Sequence, residues 1–112
     1  MKHTALITGT LLLGTLTFAL ANDKGNASDA ARSAFKGNCI SCHGPDGAGT
    51  PLGKSIHAPD LRSEEVQKKP DSELAQTITE GKGDMPSFKR ILDPGQVQAV
   101  VAYVRELGKS RH

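Results

Sequence analysis

The sequence predicts an all-α fold of about four helices. Two observations carry that prediction. Apolar residues recur at the 3.6-residue spacing of a helix face, most clearly at Val97, Val100, Val101 and Val104. Strong helix-start chemistry stands in front of that run, and no strand pattern precedes the cysteine-bearing stretch in the first half of the chain.

The chain begins with what reads as an export leader. Lys2 gives a short positive region, Thr4 to Leu20 is apolar with Thr and Gly interspersed, and Ala19-Leu20-Ala21 has the small-x-small form of a signal peptidase site. Cleavage is expected after Ala21, making residues 1–21 a signal peptide and 22–112 the mature chain. The alternative is an uncleaved N-terminal membrane anchor. The run is near the lower length limit for a span, and Thr8, Thr10, Thr15 and Thr17 weaken it. No cysteine stands at the cleavage point, which argues against a lipid anchor.

Asn22 to Ala27 is polar and reads as loose chain. Ser28 is a candidate cap for a first helix, with Asp29 favourable in its first turn. Ala31, Ala34 and Phe35 mark an apolar face that leads into Cys39.

Cys39-Ile40-Ser41-Cys42-His43 then reads C-x-x-C-H, the attachment signature of a c-type haem. Two thiols three positions apart lie one turn apart, so both can reach one porphyrin edge and add to its vinyl groups as thioethers. His43 follows where its imidazole can bind iron. A zinc site would need further ligands, and the chain has only two cysteines. A thioredoxin-like redox centre would follow a strand in a βαβ unit. A disulfide across two residues would be strained.

After His43, Gly44-Pro45-Asp46-Gly47-Ala48-Gly49 is turn chemistry. A phosphate-loop reading fails, because no Lys-Ser/Thr follows in register. A loop is expected to continue through Pro51, Leu52, His57, Pro59 and Leu61 as the wall beside His43. A backbone carbonyl near Pro51 is expected to accept the His43 Nδ1 proton. Ser63-Glu64-Glu65-Val66 suggests a short helix or turn ending before Pro70. Asp71-Ser72-Glu73 begins another, with Leu74 and Ile78 on one face and Gly81 as its stop.

Gly81-Lys82-Gly83-Asp84-Met85-Pro86 follows. Met85 is the only methionine outside the leader. A Gly-rich, Pro-stiffened loop is a poor place for a core filler and a good one for holding a thioether over the second face of a haem. Met85 is therefore the candidate sixth ligand. His57 and His112 are the competitors.

The last helix is the best signalled. Asp93 at N-cap, Pro94 at N1 and Gln96 at N3 form a capping box, and Leu92 and Val97 can make a hydrophobic staple. Tyr103 and Leu107 flank the valine face, and Gly108 reads as the stop. This face is expected to cross the helix carrying Ala31 and Phe35, where small residues permit close approach.

The bulk numbers fit one small domain. The chain has 112 residues, 37% hydrophobic, with no Trp and one Tyr, so a covalent cofactor would be its main aromatic body. A formal charge of +2 with no run of one sign argues against a nucleic-acid binder. No internal repeat appears, so one haem is expected. Export and thioether attachment corroborate each other, since in bacteria the attachment takes place outside the inner membrane.

In its C-I-S-C-H-G-P-D-G-A-G, A-P-D-L, G-K-G-D-M-P-S-F and V-V-A-Y-V segments, the mature chain resembles a class I cytochrome c of the small soluble bacterial monohaem kind. The resemblance implies a cytochrome c domain over 22–112, its helices wrapped around one haem and its N- and C-terminal helices crossing. It implies haem c bound covalently through Cys39 and Cys42, with His43 and Met85 as the iron ligands.

The expected function is a periplasmic, non-enzymatic one-electron carrier cycling Fe(III)/Fe(II). His/Met ligation saturates the iron, and both the thioether and burial raise the potential. The expected partners are redox proteins: a dehydrogenase, an oxidase or a cytochrome complex. The chain is expected to be monomeric, with no stable membrane insertion after cleavage. Lys54, Lys82, Lys89 and Arg90 are candidates to ring the haem edge and steer an acidic partner; the plainer reading is a set of solvated cations. One alternative function is a haem enzyme or gas sensor with an open or displaceable sixth site. Another is a subunit docked permanently to a dehydrogenase or oxidase.

Overall fold

The computed structural model describes residues 24–110, together with Gly9 and Gly14. Apart from those two glycines the expected leader, its expected cleavage point, and His112 lie outside the described residues. Six helices follow in order: α1 (Lys24–Asn38), α2 (Ile40–His43), α3 (Pro51–Ser55), α4 (Glu64–Gln67), α5 (Asp71–Glu80) and α6 (Pro94–Lys109). The four helices expected from the sequence correspond to α1, α4, α5 and α6. The structure adds two single-turn helices, α2 and α3, and among the described residues there is no strand, only a bridge between Lys82 and Met85.

Helix α1 starts earlier than expected. It begins at Lys24, so Ser28 lies inside it rather than at its cap. Its apolar face buries Ala31 and Phe35, and it packs most extensively against α6. The expected crossing of the first and last helices is thus present. The Phe35 and Tyr103 rings meet there at 5.1 Å between centroids, tilted by 59°, a favourable non-parallel arrangement.

Helix α6 is built as its sequence dictates. The Asp93 carboxylate accepts from the Gln96 N–H, and the Gln96 side chain accepts from the Asp93 N–H. Leu92 and Val97 are both buried, completing the staple. Val97, Val100, Val101, Val104 and Leu107 form the buried stripe. The high β-branched content disfavours a helix by only a few tenths of a kcal/mol per residue, roughly, and caps with a buried stripe outweigh it. The helix runs through Gly108 to Lys109, so Gly108 is not the stop.

Two side chains tie the short helices down. Gln67 Nε2 donates to the carbonyls of Leu61 and Val104, joining α4, the preceding loop and α6. The Arg105 guanidinium donates to the Gln67 and Lys69 carbonyls at the end of α4 and pairs with Asp71 at 2.8 Å. These are carbonyls that a helix end leaves without partners.

Candidate functional site

The C-x-x-C-H stretch is itself one helical turn. The Cys39 N–H donates to the Phe35 carbonyl, and the His43 N–H donates to the Cys39 carbonyl, both at 2.9 Å. Cys39 and Cys42, at i and i+3, therefore share a face, with His43 beside them at i+4. Both thiols are free and half-buried.

The end of this turn is held by Thr50. Its hydroxyl donates to the Ser41 carbonyl at 2.7 Å and accepts from the Gly53 N–H at 3.0 Å, while its own N–H donates to the Cys42 carbonyl. The Gly49 N–H donates to the His43 carbonyl at 2.7 Å. Nothing in the sequence reading marked Thr50. The signal was there: Thr50-Pro51 is an N-cap followed by Pro at N1, the same chemistry as Asp93-Pro94. The segment read as loop therefore contains α3.

His43 is buried, and burial lowers its pKa, so at neutral pH the ring is the neutral form that binds iron. The backbone carbonyl that acts on the imidazole is that of Pro59, while Pro51 opens α3. That carbonyl favours a protonated ring, and Nδ1 is buried with no hydrogen-bond partner. Burial also pushes the Cys39 thiol up to about 11, which keeps it protonated.

Met85 is presented by a tight turn. Lys82 and Met85 exchange both backbone hydrogen bonds at 3.0 Å across Gly83-Asp84. Gly81 enters the turn at φ 77°, and a Cβ there would lie 2.6 Å from the Met85 carbonyl oxygen, so only glycine fits. Beyond Pro86, the Ser87 hydroxyl donates to the Thr79 carbonyl and the Phe88 N–H to the Ile78 carbonyl, docking the loop on α5.

These pieces line one cavity of about 580 Å³, within the range of about 300–1,000 Å³ common for small-molecule and cofactor sites. Cys39, Cys42, His43 and Met85 all face it, over aliphatic walls that include Leu74, Ile78, Val100 and Val104. The four residues singled out in the sequence are thus brought together. Two thiols on one helical face, a neutral buried imidazole and a thioether in an apolar cavity fit a covalently attached haem. Among the described residues no group of three or more His, Cys, Asp or Glu is placed to hold a metal ion, so a zinc site has no donor set.

His57 also lines the cavity, but it is exposed, at φ 61°, on the loop that brings Pro59 to His43. It therefore belongs to the His43 wall. Of the four cations expected near the cofactor, only Lys82 lines the cavity; Lys89 is paired with Glu80 at 3.7 Å. Two polar lining residues, Lys69 and Glu65, were not singled out in the sequence.

Comparison with known proteins follows the same lines. Residues 26–104 match the family described as cytochrome c oxidase, cbb3-type, subunit III. The chain is 37% identical over 84 residues to the cbb3-type cytochrome c oxidase subunit FixP of a Bradyrhizobium species, covering 71% of this chain and 28% of that protein. It therefore spans less than a third of that relative. It is 35% identical to cytochrome c6 of a Nostoc species, over 89% of each chain. Among solved structures, the KustC0563 c-type cytochrome superposes with a TM-score of 0.66 at 34% identity, over 69% of this chain and 95% of that one.

Proposed function

The chain belongs to the cytochrome c family, matching the cbb3-type subunit III domain and carrying one c-type haem, and from that premise we propose that it is a periplasmic one-electron carrier with His/Met-ligated iron. When bound, haem supplies reversible exchange of a single electron between Fe(III) and Fe(II). Cys39 and Cys42 would attach it as thioethers, and the His43 imidazole and the Met85 sulfur would hold its iron.

The observation that carries this reading is the convergence of Cys39, Cys42, His43 and Met85 on one apolar cavity. The remaining residues keep that arrangement stiff. Thr50 and Gly53 lock the cysteine turn against α3, and the Lys82–Met85 bridge fixes the backbone that carries the thioether. A rigid ligand set changes little between oxidation states, which keeps reorganisation small. The apolar walls disfavour the extra charge of the ferric state and raise the potential. A bridged, glycine-dependent turn also supports a closed sixth site over an open enzymatic or sensing one.

The proposed partners are redox proteins of the respiratory or dehydrogenase kind. The relatives named as oxidase subunits and as cytochrome c6 both support that class. No helix among the described residues is long and apolar enough to cross a membrane. Residues 1–21 are proposed as the leader that directs export, and 22–112 as the cytochrome domain.

Intact mass and N-terminal sequencing of the protein matured in a bacterial periplasm test this reading. The expected result is a chain starting at Asn22 that carries one haem resistant to acid-acetone extraction. Cys39→Ser with Cys42→Ser should abolish the covalent haem. Extractable haem in the unaltered protein would contradict the attachment, and a start at Met1 would contradict the leader.

A further inference from the structure

The haem cavity has a charged edge that its attachment and ligand residues leave unexplained. Lys69 and Lys82 both line it. Glu73 is acted on by both: Lys69 Nζ donates to its carboxylate at 2.6 Å, and that bond, with the charge of Lys82 adding to it, holds the carboxyl below the usual range. A smaller cavity of about 260 Å³, lined in part by Glu73, adjoins the first through shared Thr77 and Lys82. Glu65, which lines the haem cavity as Asp84 does, also acts on Lys69.

Lys69 is the better placed of the two cations. Its side chain is 31% exposed and fixed by a partner one helical turn along the sequence. An ammonium has three N–H donors, and Glu73 takes one of them. Haem carries two propionate carboxylates, and a carboxylate entering a largely aliphatic cavity is unfavourable without a cation or donors to meet it.

We propose that Lys69 is a positioning residue that meets a haem propionate, oriented by Glu73, and that this pair tunes the reduction potential. The inference rests on the haem reading above. A cation near the iron opposes the extra positive charge of the ferric state and so favours the reduced form. Glu73 offsets part of that effect. The two side chains therefore act on the potential with opposite signs.

The test is a spectroelectrochemical titration of the matured holoprotein and its variants at low salt. Lys69→Gln should shift the oxidised–reduced equilibrium about two- to tenfold toward the ferric form, roughly 20–60 mV downward at about 59 mV per decade. Glu73→Gln should shift it upward, and Lys69→Arg should stay near the parent. Unchanged potentials in both Gln variants, or shifts in the same direction, would overturn the proposal. If Lys69→Gln fails to mature, Glu73→Gln decides: an upward shift supports the pair's role, and no shift or a downward one overturns it. The c-type absorption spectrum recorded in the same cell reports separately on the haem reading.

Discussion

Gly53 lies directly against the backbone of Cys42: a Cβ at position 53 would sit 1.9 Å from the Cys42 carbonyl oxygen. The second cysteine of the C-x-x-C-H turn and the helix behind it are thus in backbone contact. The oxygen cannot swing aside, because it also accepts from the Thr50 N–H. Gly53→Ala must separate α3 from α2. Alanine gains about 1 kcal/mol of helix propensity, whereas forcing extra atoms into a packed contact costs about 1–3 kcal/mol, and a backbone clash belongs at or above the upper end. The variant should melt roughly 10 °C lower, at about 4–8 °C per kcal/mol for a domain of this size, and should mature with less covalent haem. Thermal denaturation followed at the haem absorption checks both. An unchanged melting temperature would contradict this packing.

Gly108 and Gln67 make a second such contact. A Cβ at 108 would lie 2.4 Å from Gln67 Cδ, and that amide bonds the Leu61 and Val104 carbonyls. Gly108→Ala and Gln67→Ala should each destabilise by roughly 1–3 kcal/mol, the range for losing buried hydrogen bonds. The double variant should be more stable than the sum predicts, because without the amide the new methyl has room. Strict additivity in urea titrations would contradict the contact.

The α6 cap gives a simpler expectation. Asp93→Ala removes the acceptor for the Gln96 N–H and half of the capping box. The loss should be about 1 kcal/mol, seen as a lower urea midpoint with an unchanged slope. Asp93→Asn should recover most of it.

Stability in acid follows from Glu73. Lys69 holds its folded-state pKa below the ordinary carboxylate value, so its contribution is present above the unfolded pKa near 4.5 and disappears as pH falls through the depressed folded value. Glu73→Gln should melt slightly lower than the parent at pH 7 and equal it near pH 3. The effect is small because the pair is partly exposed to solvent. Melting curves across that range decide the sign.

What the sequence disclosed was mostly local. C-x-x-C-H needs only one turn of chain, and Asp93-Pro94-x-Gln96 needs only its own backbone. The turn of α2 and the capping box of α6 are both present. The place of Met85 on the cavity was legible because a lone thioether sat in a Gly- and Pro-framed loop. Contacts set by distant chain were not legible. Gly108 looks like a helix stop, since glycine near a helix end usually is one; its contact with Gln67 exists only once α4 packs on α6. Pro51 and Pro59 are both loop prolines by sequence, and α3 decides which one reaches His43. That helix is too short to show a period, although its Thr-Pro cap was visible. Lys69 is one of many surface lysines until α5 and the Met85 turn close the cavity around it.

The central claim is that His43 and Met85 ligate the iron of one covalently attached haem. The most direct measurement is the absorption spectrum of the matured protein, oxidised and then reduced under CO, beside Met85→Ala. The expected result is a c-type spectrum with the weak near-infrared sulfur-to-ferric-iron band and no CO shift in the parent. In Met85→Ala the band should be lost and CO should bind rapidly. A parent that lacks the band and binds CO readily would contradict Met85 ligation and favour an open haem site for catalysis or sensing.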